Sequence, residues 1–132
     1  MAKASKAKQL SFSLPNKVGL LAEISAAIAK AKVNISAICA YEMEDRGYFM
    51  VLTDGNAKAK KAIAQMGAEI KEEDVVAVEM SNKVGELEKI SKKIADAGID
   101  IVFVYGTSGT GKAGVLVFKT ADDKKAVRVI NK

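Results

Sequence analysis

The sequence predicts an α+β protein built from two ferredoxin-like βαββαβ modules in tandem, each an antiparallel sheet with its helices on one face. Two observations predict this fold. The segment from Asn16 to Ile35 recurs 66 residues later, from Asn82 to Ile101, with 11 identities in 20 positions, which indicates a duplicated supersecondary unit. Within each copy, stretches with the period of a strand alternate with stretches that have the period of a helix.

The first module reads as strand, helix, strand, strand, helix, strand. The first helix is predicted because Leu21, Ile24 and Ile28 recur at helical spacing and form one apolar face. The second helix opens after Asp54 and ends at Gly67. In order, the predicted elements are residues 10–14, 21–31, 33–43, 48–53, 56–66 and 68–71.

The second module repeats this order up to its last helix. Its predicted elements are residues 76–80, 87–97, 99–105, 115–118 and 123–130. We expect this module to lack its last strand, because the sequence reaches Lys132 just after the helix. The predicted domains are a basic tail at residues 1–8, a first module at 9–73 and a second module at 74–132, with Glu72–Asp74 as the linker.

The net charge of +5 suggests nucleic-acid binding, but the charge is unevenly placed. Lys3, Lys6 and Lys8 supply three of the five charges, and we interpret them as a solvated tail. The rest of the chain lacks the interleaved arginines and aromatics of a nucleic-acid groove. An RNA-binding ferredoxin-like domain is an alternative, but it needs exposed aromatics on its central strands. Only Tyr48 and Phe49 are adjacent aromatics, on opposite strand faces, so we expect no nucleic-acid partner.

The composition also limits chemistry and location. The chain has no histidine and one cysteine, Cys39, which removes the commonest general base, the commonest metal ligand and any internal disulfide. We therefore expect no enzyme activity, no metal and no cofactor. No apolar run is long enough to span a bilayer, and residues 1–9 lack the apolar stretch of a signal peptide. We predict a cytoplasmic protein without a membrane partner.

A glycine-rich segment, Gly106–Lys112, fits the spacing of a nucleotide-binding P-loop. That loop needs Ser or Thr after the lysine, and then a helix. Ala113 follows the lysine here, and then a strand-like run. We interpret the segment as a hairpin loop and expect no nucleotide to bind there.

Each module joins its first strand to its first helix through a short turn, Asn16–Leu20 in one copy and Asn82–Glu86 in the other. An asparagine side chain and unpaired backbone N–H groups at the positive end of a helix form a receptor for a small carboxylate. The alternative is that Asn16 and Asn82 only cap their helices. The recurrence of the turn in both modules favours a ligand site.

The segments around these turns resemble a known family. Residues 14–35, LPNKVGLLAEISAAIAKAKVNI, and residues 81–101, SNKVGELEKISKKIADAGIDI, resemble the signature of ACT domains. The resemblance covers about residues 9–130. ACT domains are βαββαβ modules that bind amino acids and regulate enzymes such as phosphoglycerate dehydrogenase and aspartate kinase. The resemblance therefore implies a tandem ACT-domain protein.

In ACT domains the ligand lies at the seam between two modules. One module contributes its first turn, and its neighbour contributes the start of the second strand. The resemblance thus implies these ligand-binding residues: Asn16, Val18, Gly19, Leu20, Asn34, Ile35, Asn82, Val84, Gly85, Glu86, Asp100 and Ile101.

Some of these positions depart from the family pattern. The family usually has a proline before the glycine, where this chain has Val18 and Val84. The second turn carries Glu86, whose negative charge opposes a ligand carboxylate, and Asp100 replaces an amide of the first copy. If the modules pair within one chain, the Asn16 turn faces Asp100, and we expect this seam to be the better amino-acid site.

The resemblance implies a sensor or regulatory protein that binds a small amino acid or related metabolite and modulates a partner enzyme or pathway. We expect a homodimer or a complex with a client enzyme, because ACT-like modules typically meet through their second strands, here residues 34–43 and 100–105. The alternative is a structural or protein-interaction module whose degenerate sites bind no ligand. A thermal-shift screen of the amino acids distinguishes the two.

Overall fold

The structure is a computed structural model that describes residues 2–108 and 113–132. In this part of the chain the elements are, in order, β1 (Lys3–Pro15), α1 (Leu20–Lys30), β2 (Ile35–Met43), β3 (Arg46–Thr53), α2 (Asn56–Ala64), β4 (Ile70–Ser81), α3 (Glu86–Asp96), β5 (Ile101–Ser108), β6 (Ala113–Thr120) and α4 (Asp123–Ile130). The predicted order of strands and helices is confirmed in both modules. None of the helices in the described ranges is long and apolar enough to cross a membrane.

The chain divides into two compact units. The first unit is Lys8–Glu73, and the second unit is Asp74–Lys132 together with the residues before Lys8. The strand order is β2-β3-β1-β4 in the first unit and β1-β4-β6-β5 in the second. β3 pairs antiparallel with β1 and β2, and β6 pairs antiparallel with β4 and β5. This order of strands is the ferredoxin-like arrangement that the sequence predicts.

Each unit has its own hydrophobic core between strands and helices. In the first unit the apolar face of α1 packs with α2 against β1 and β3, and the rings of Phe12 and Phe49 stack with centroids 5.2 Å apart. Its fully or nearly buried residues include Leu10, Phe12, Leu14, Leu20, Ile24, Ile28, Phe49, Val51, Ala59 and Ile63. Complete burial of one such large apolar side chain stabilises the fold by about 1.5–3 kcal/mol. The core therefore holds α1 and its first turn firmly against the sheet.

The lysine-rich start of the chain differs from the solvated tail that we expected. It is the first part of β1, and its residues before Lys8 belong to the second unit. Ala4 is buried in the second core, and its N–H group donates to Asn131 Oδ1 at 2.7 Å, while Asn131 Nδ2 donates to the Ala4 carbonyl oxygen at 2.9 Å. Alanines alternate with Lys3 and Ser5, so small side chains face the core while polar ones stay exposed.

This segment supplies the strand that the second module lacks. In the described residues no strand follows α4, as expected. Residues 3–7 of β1 take the place beside β4 in that unit's sheet. A sheet edge that would otherwise expose unpaired N–H and C=O groups is thereby covered.

The predicted linker Glu72–Asp74 also differs from the structure, because it lies inside the single strand β4. The acidic side chains are accommodated by hydrogen bonds to neighbouring residues of the first unit. Glu73 Oε1 accepts hydrogen bonds from Ser11 Oγ at 2.6 Å and from Gln9 Nε2 at 3.1 Å. β4 is therefore both the last strand of the first module and the first strand of the second.

Candidate functional site

The turn between β1 and α1 depends on a glycine in the left-handed conformation. Gly19 has a φ of 88°, and α1 begins at the next residue. The second unit repeats this geometry, since Gly85 also has a φ of 88° directly before α3. A residue with a Cβ rarely adopts this conformation. The prediction that Gly19 forms a tight turn is confirmed.

The capping role considered for Asn16 and Asn82 is wrong. Gly19 and Gly85 are the N-cap residues of α1 and α3, and neither helix receives a hydrogen bond from a capping side chain. The backbone N–H of Asn16 instead donates to the Asp45 carbonyl oxygen at 2.8 Å, which holds the turn to the β2–β3 hairpin. The positive end of α1 thus keeps first-turn N–H groups that no side chain caps, as an anion site requires.

A shallow cavity of about 300 Å³ opens beside this turn in the first unit. The turn supplies one side of the cavity, and the end of β2 and the start of β3 supply the other. It is lined by Asn16, Lys17, Gly19, Leu20, Leu21, Ala40, Tyr41, Glu42, Gly47 and Phe49. Its volume is at the lower end of the range for small-molecule sites, which is about 300–1,000 Å³.

The cavity brings together groups of opposite charge. Lys17 lies in the turn and forms an ion pair with Glu23, with Nζ and Oε2 2.9 Å apart. Glu42 lies at the far side, and its Oε2 accepts a hydrogen bond from the Asp45 N–H at 3.0 Å. A ligand carboxylate is attracted by the helix end and Lys17, and a ligand ammonium group by Glu42. The arrangement suits a zwitterion.

Sequence reasoning missed three residues of this cavity, Tyr41, Glu42 and Gly47. They reach the turn through strand pairing: Gly47 lies opposite both Glu42 of β2 and Leu14 of β1. Counting the register outward from the predicted hairpin loop would have placed Glu42 there. Gly47 is required by packing, because a Cβ at this position would stand 2.9 Å from Leu20 Cδ2.

The predicted second-strand residues lie elsewhere. Ile35 pairs with Thr53, at the end of β2 that is distant from Glu42 and the turn. The backbone N–H of Asn34 donates to Asp54 Oδ1 at 2.9 Å. In the second unit Ile101 likewise pairs with Thr120, and the Asp100 carbonyl oxygen accepts a hydrogen bond from Ala121. Within its own unit, neither turn meets the start of its second strand.

The second turn presents a different surface because Glu86 stands where the first turn has Leu20. Glu86 is only 8% exposed, and its Oε1 lies 3.5 Å from Lys89 Nζ. Burial raises the pKa of this carboxyl, but the nearby Ser81 hydroxyl and the Lys89 ammonium outweigh burial and hold the pKa below its ordinary value. The charge of Glu86 is therefore turned toward α3 and partly compensated there. Val18 and Val84, at the tips of the two turns, are fully exposed.

The glycine-rich segment lies partly outside the described residues. Gly106–Ser108 end β5, residues 109–112 are not described, and β6 begins at Ala113. A strand follows this segment, whereas a P-loop is followed by a helix. Within the described ranges, no group of three His, Cys, Asp or Glu side chains is placed to hold a metal ion.

The chain was compared with known proteins. The family model described as "ACT domain pair" matches residues 5–132. The crystal structure of protein BT0572 from Bacteroides thetaiotaomicron is 30% identical, with a TM-score of 0.88 over 97% of this chain and 88% of that chain. No curated protein gives a significant match.

Regulatory subunits of aspartate kinase are also similar in structure. The ligand-free subunit from Thermus thermophilus is 13% identical, with a TM-score of 0.67 over 98% of this chain and 94% of that chain. The subunit from Thermus flavus is 18% identical, with a TM-score of 0.65 over the same shares of the two chains. At these identities the likeness concerns the fold alone.

Proposed function

Because this chain belongs to the family of ACT domain pairs, we propose that it is a regulatory protein without catalytic activity that binds a small amino acid or a related metabolite. Binding modulates a partner enzyme or pathway. The regulatory subunits of aspartate kinase that share its fold support this role. The structural observation on which the proposal depends is the uncapped N-terminus of α1, which opens into a cavity of mixed charge.

The first turn, Asn16–Leu20, holds the ligand carboxylate in this proposal. The first N–H groups of a helix together with its dipole attract an anion at this position, and Lys17 adds a full positive charge at the cavity wall. Glu42 takes the ligand ammonium group from the opposite side. A neighbouring module may complete the seam in the manner of the family, with Asn34, Ile35, Asp100 and Ile101 as the candidate residues.

The second turn is the weaker site. The first turn of α3 already contains Glu86 and Glu88, whose charges compensate the positive helix end. The first turn of α1 contains only Glu23, and that carboxylate is paired with Lys17. A ligand carboxylate therefore meets less repulsion at the first turn. Calorimetry on Asn16→Ala and Asn82→Ala tests this asymmetry, and equal losses of affinity would contradict it.

The most direct test of the site is Glu42→Gln, because it keeps the shape of the side chain and removes its charge. The loss of one charge-assisted contact to an ammonium group lowers the affinity for an amino acid about tenfold. Glu44→Gln is the matched control, since Glu44 is exposed in the same hairpin and does not line the cavity. Equal affinities of the two variants would contradict the role of Glu42.

Assembly is the second part of the proposal. β2 and β5 are edge strands of their units, and they present exposed apolar side chains such as Ile38 and Val104. Edge strands with exposed apolar residues are normally covered by another chain. We therefore propose that a second copy, or the client enzyme, pairs with these edges.

A further inference from the structure

The helical side of the first unit contains a second cavity, apart from the amino-acid site. This groove lies between α1 and α2 and has a volume of about 560 Å³. Small and apolar side chains, including Ala27, Ala31 and Met66, form its floor, and Lys30, Lys58 and Lys61 stand around it. No acidic or aromatic residue lines it. We call it the α1–α2 groove.

The three lysines have no partner within the described residues. All three are exposed, and none makes a hydrogen bond or an ion pair with the rest of the described chain. Lys58 lies in the first turn of α2, which contains no acidic residue. A cation at the positive end of a helix is unfavourable by several tenths of a kcal/mol. Helix stability alone therefore does not account for this placement.

The second unit offers an internal comparison, because α4 occupies in its core the place that α2 occupies in the first. Ala126 and Ile130 of α4 are fully buried, and they follow the equally buried Ala59 and Ile63 of α2 by 67 residues. By the same spacing Lys125 corresponds to Lys58.

The corresponding lysine of the second unit is used within its own unit. Lys125 Nζ donates to the Ala97 carbonyl oxygen at 3.0 Å, which ties α4 to the end of α3. Asp96 stands 66 residues after Lys30 and introduces a negative charge where the first unit has a positive one. The first unit thus leaves its cations directed at solvent, whereas the second unit consumes or opposes them.

We propose that the α1–α2 groove binds an acidic amphipathic helix of a partner protein. The apolar floor accepts the apolar face of that helix, and Met66 adapts to irregular side chains. Lys30, Lys58 and Lys61 pair with its carboxylates. A free phosphate would leave the apolar floor unused, and a nucleic-acid strand would lack aromatic side chains on which to stack. The proposal goes beyond amino-acid binding and does not depend on it.

The test uses a fluorescein-labelled peptide of about 15 residues, long enough for a marginal helix, with leucines on one helical face and glutamates on the other. Fluorescence anisotropy measures its binding to the full chain. We expect saturable binding that the triple variant Lys30→Gln/Lys58→Gln/Lys61→Gln weakens about tenfold, because each exposed ion pair contributes several tenths of a kcal/mol. Higher salt weakens binding of the peptide to the unaltered chain.

A second triple variant, Lys60→Gln/Lys71→Gln/Lys124→Gln, removes the same charge from exposed positions outside the groove and should leave binding unchanged. A scrambled peptide of identical composition, without an apolar face, should bind at least fivefold more weakly. The proposal is overturned if the peptide does not bind, if both triple variants weaken binding equally, or if the scrambled peptide binds as well. Single-stranded RNA that binds more tightly than the peptide, in a manner that requires the three groove lysines, would also overturn it.

Discussion

The side chain of Leu20 packs directly over Gly47, so that a Cβ at position 47 would stand 2.9 Å from Leu20 Cδ2 and 3.1 Å from Phe49 Cε1. This contact joins the first turn of α1 to β3 beneath the candidate site. We expect Gly47→Ala to lower the free energy of unfolding by about 1–3 kcal/mol, because overpacking forces neighbouring side chains to shift. Denaturant unfolding measures the change.

A double-mutant cycle separates this contact from a general effect of alanine in β3. In a Leu20→Ala background the added methyl group has room, so Gly47→Ala should cost clearly less than it does alone. Strictly additive losses would show that Leu20 is not the residue that excludes a side chain at position 47.

The bond between the N-terminal strand and the last helix gives a second prediction. Asn131→Ala removes both hydrogen bonds between this side chain and the Ala4 backbone, and we expect a loss of about 1–3 kcal/mol in the free energy of unfolding. Gln65→Ala is the matched control, since Gln65 is the corresponding C-cap residue of α2 and is exposed. Equal losses in the two variants would contradict the structural role of the strand.

The sequence alone predicted the order of the elements and both glycine turns, because long apolar repeats with a clear period dominate α1 and α3. It did not predict residues 3–7 as a strand. Their alternation uses alanine, which buries too little apolar surface to distinguish a strand from a solvated lysine-rich tail. The linker was mistaken for the same kind of reason, since Glu73 is satisfied by residues far away in the sequence.

The candidate site was predicted only in half. The Asn16 turn is local in sequence, so its glycine and its helix start are visible without a structure. Glu42 and Gly47 enter the cavity only through the register of two strand pairings, which the sequence does not specify. Leu20 also proved to be a core residue beneath the turn.

Glu86 gives a pH-dependent prediction. The pKa of its carboxyl is lower in the folded protein than its ordinary value, so the ionised form stabilises the fold. This contribution is present above the ordinary pKa and is lost as the pH falls through the lowered folded value. We expect Glu86→Gln to flatten the acid limb of the curve of unfolding free energy against pH. Glu88→Gln, at an exposed position of the same helix turn, should leave that limb unchanged, and identical curves for wild type and Glu86→Gln would contradict the assignment.

The exposed edges predict self-assembly or capture by a client. For the isolated chain we expect light scattering at micromolar concentration to give a mass near twice the 14.0 kDa of one chain. Ile38→Glu or Val104→Glu, on β2 and β5, should reduce that mass, because a charge on the contact face opposes burial. Val115→Glu is the control, since Val115 is similarly exposed but lies on β6. A mass near 14.0 kDa for the unaltered chain would contradict self-assembly.

The central claim is that an amino acid binds at the first turn, and a thermal-shift screen of the twenty amino acids tests it most directly. A carboxylate at a helix end with an ammonium partner suits a dissociation constant of roughly 1 to 100 µM. At one hundred times that concentration the ligand stabilises the fold by about 2.7 kcal/mol, which raises the melting midpoint by several degrees. We predict such a shift for at least one amino acid, and a smaller one in Glu42→Gln. A flat screen at millimolar concentrations would contradict the account and favour an interaction module without a ligand.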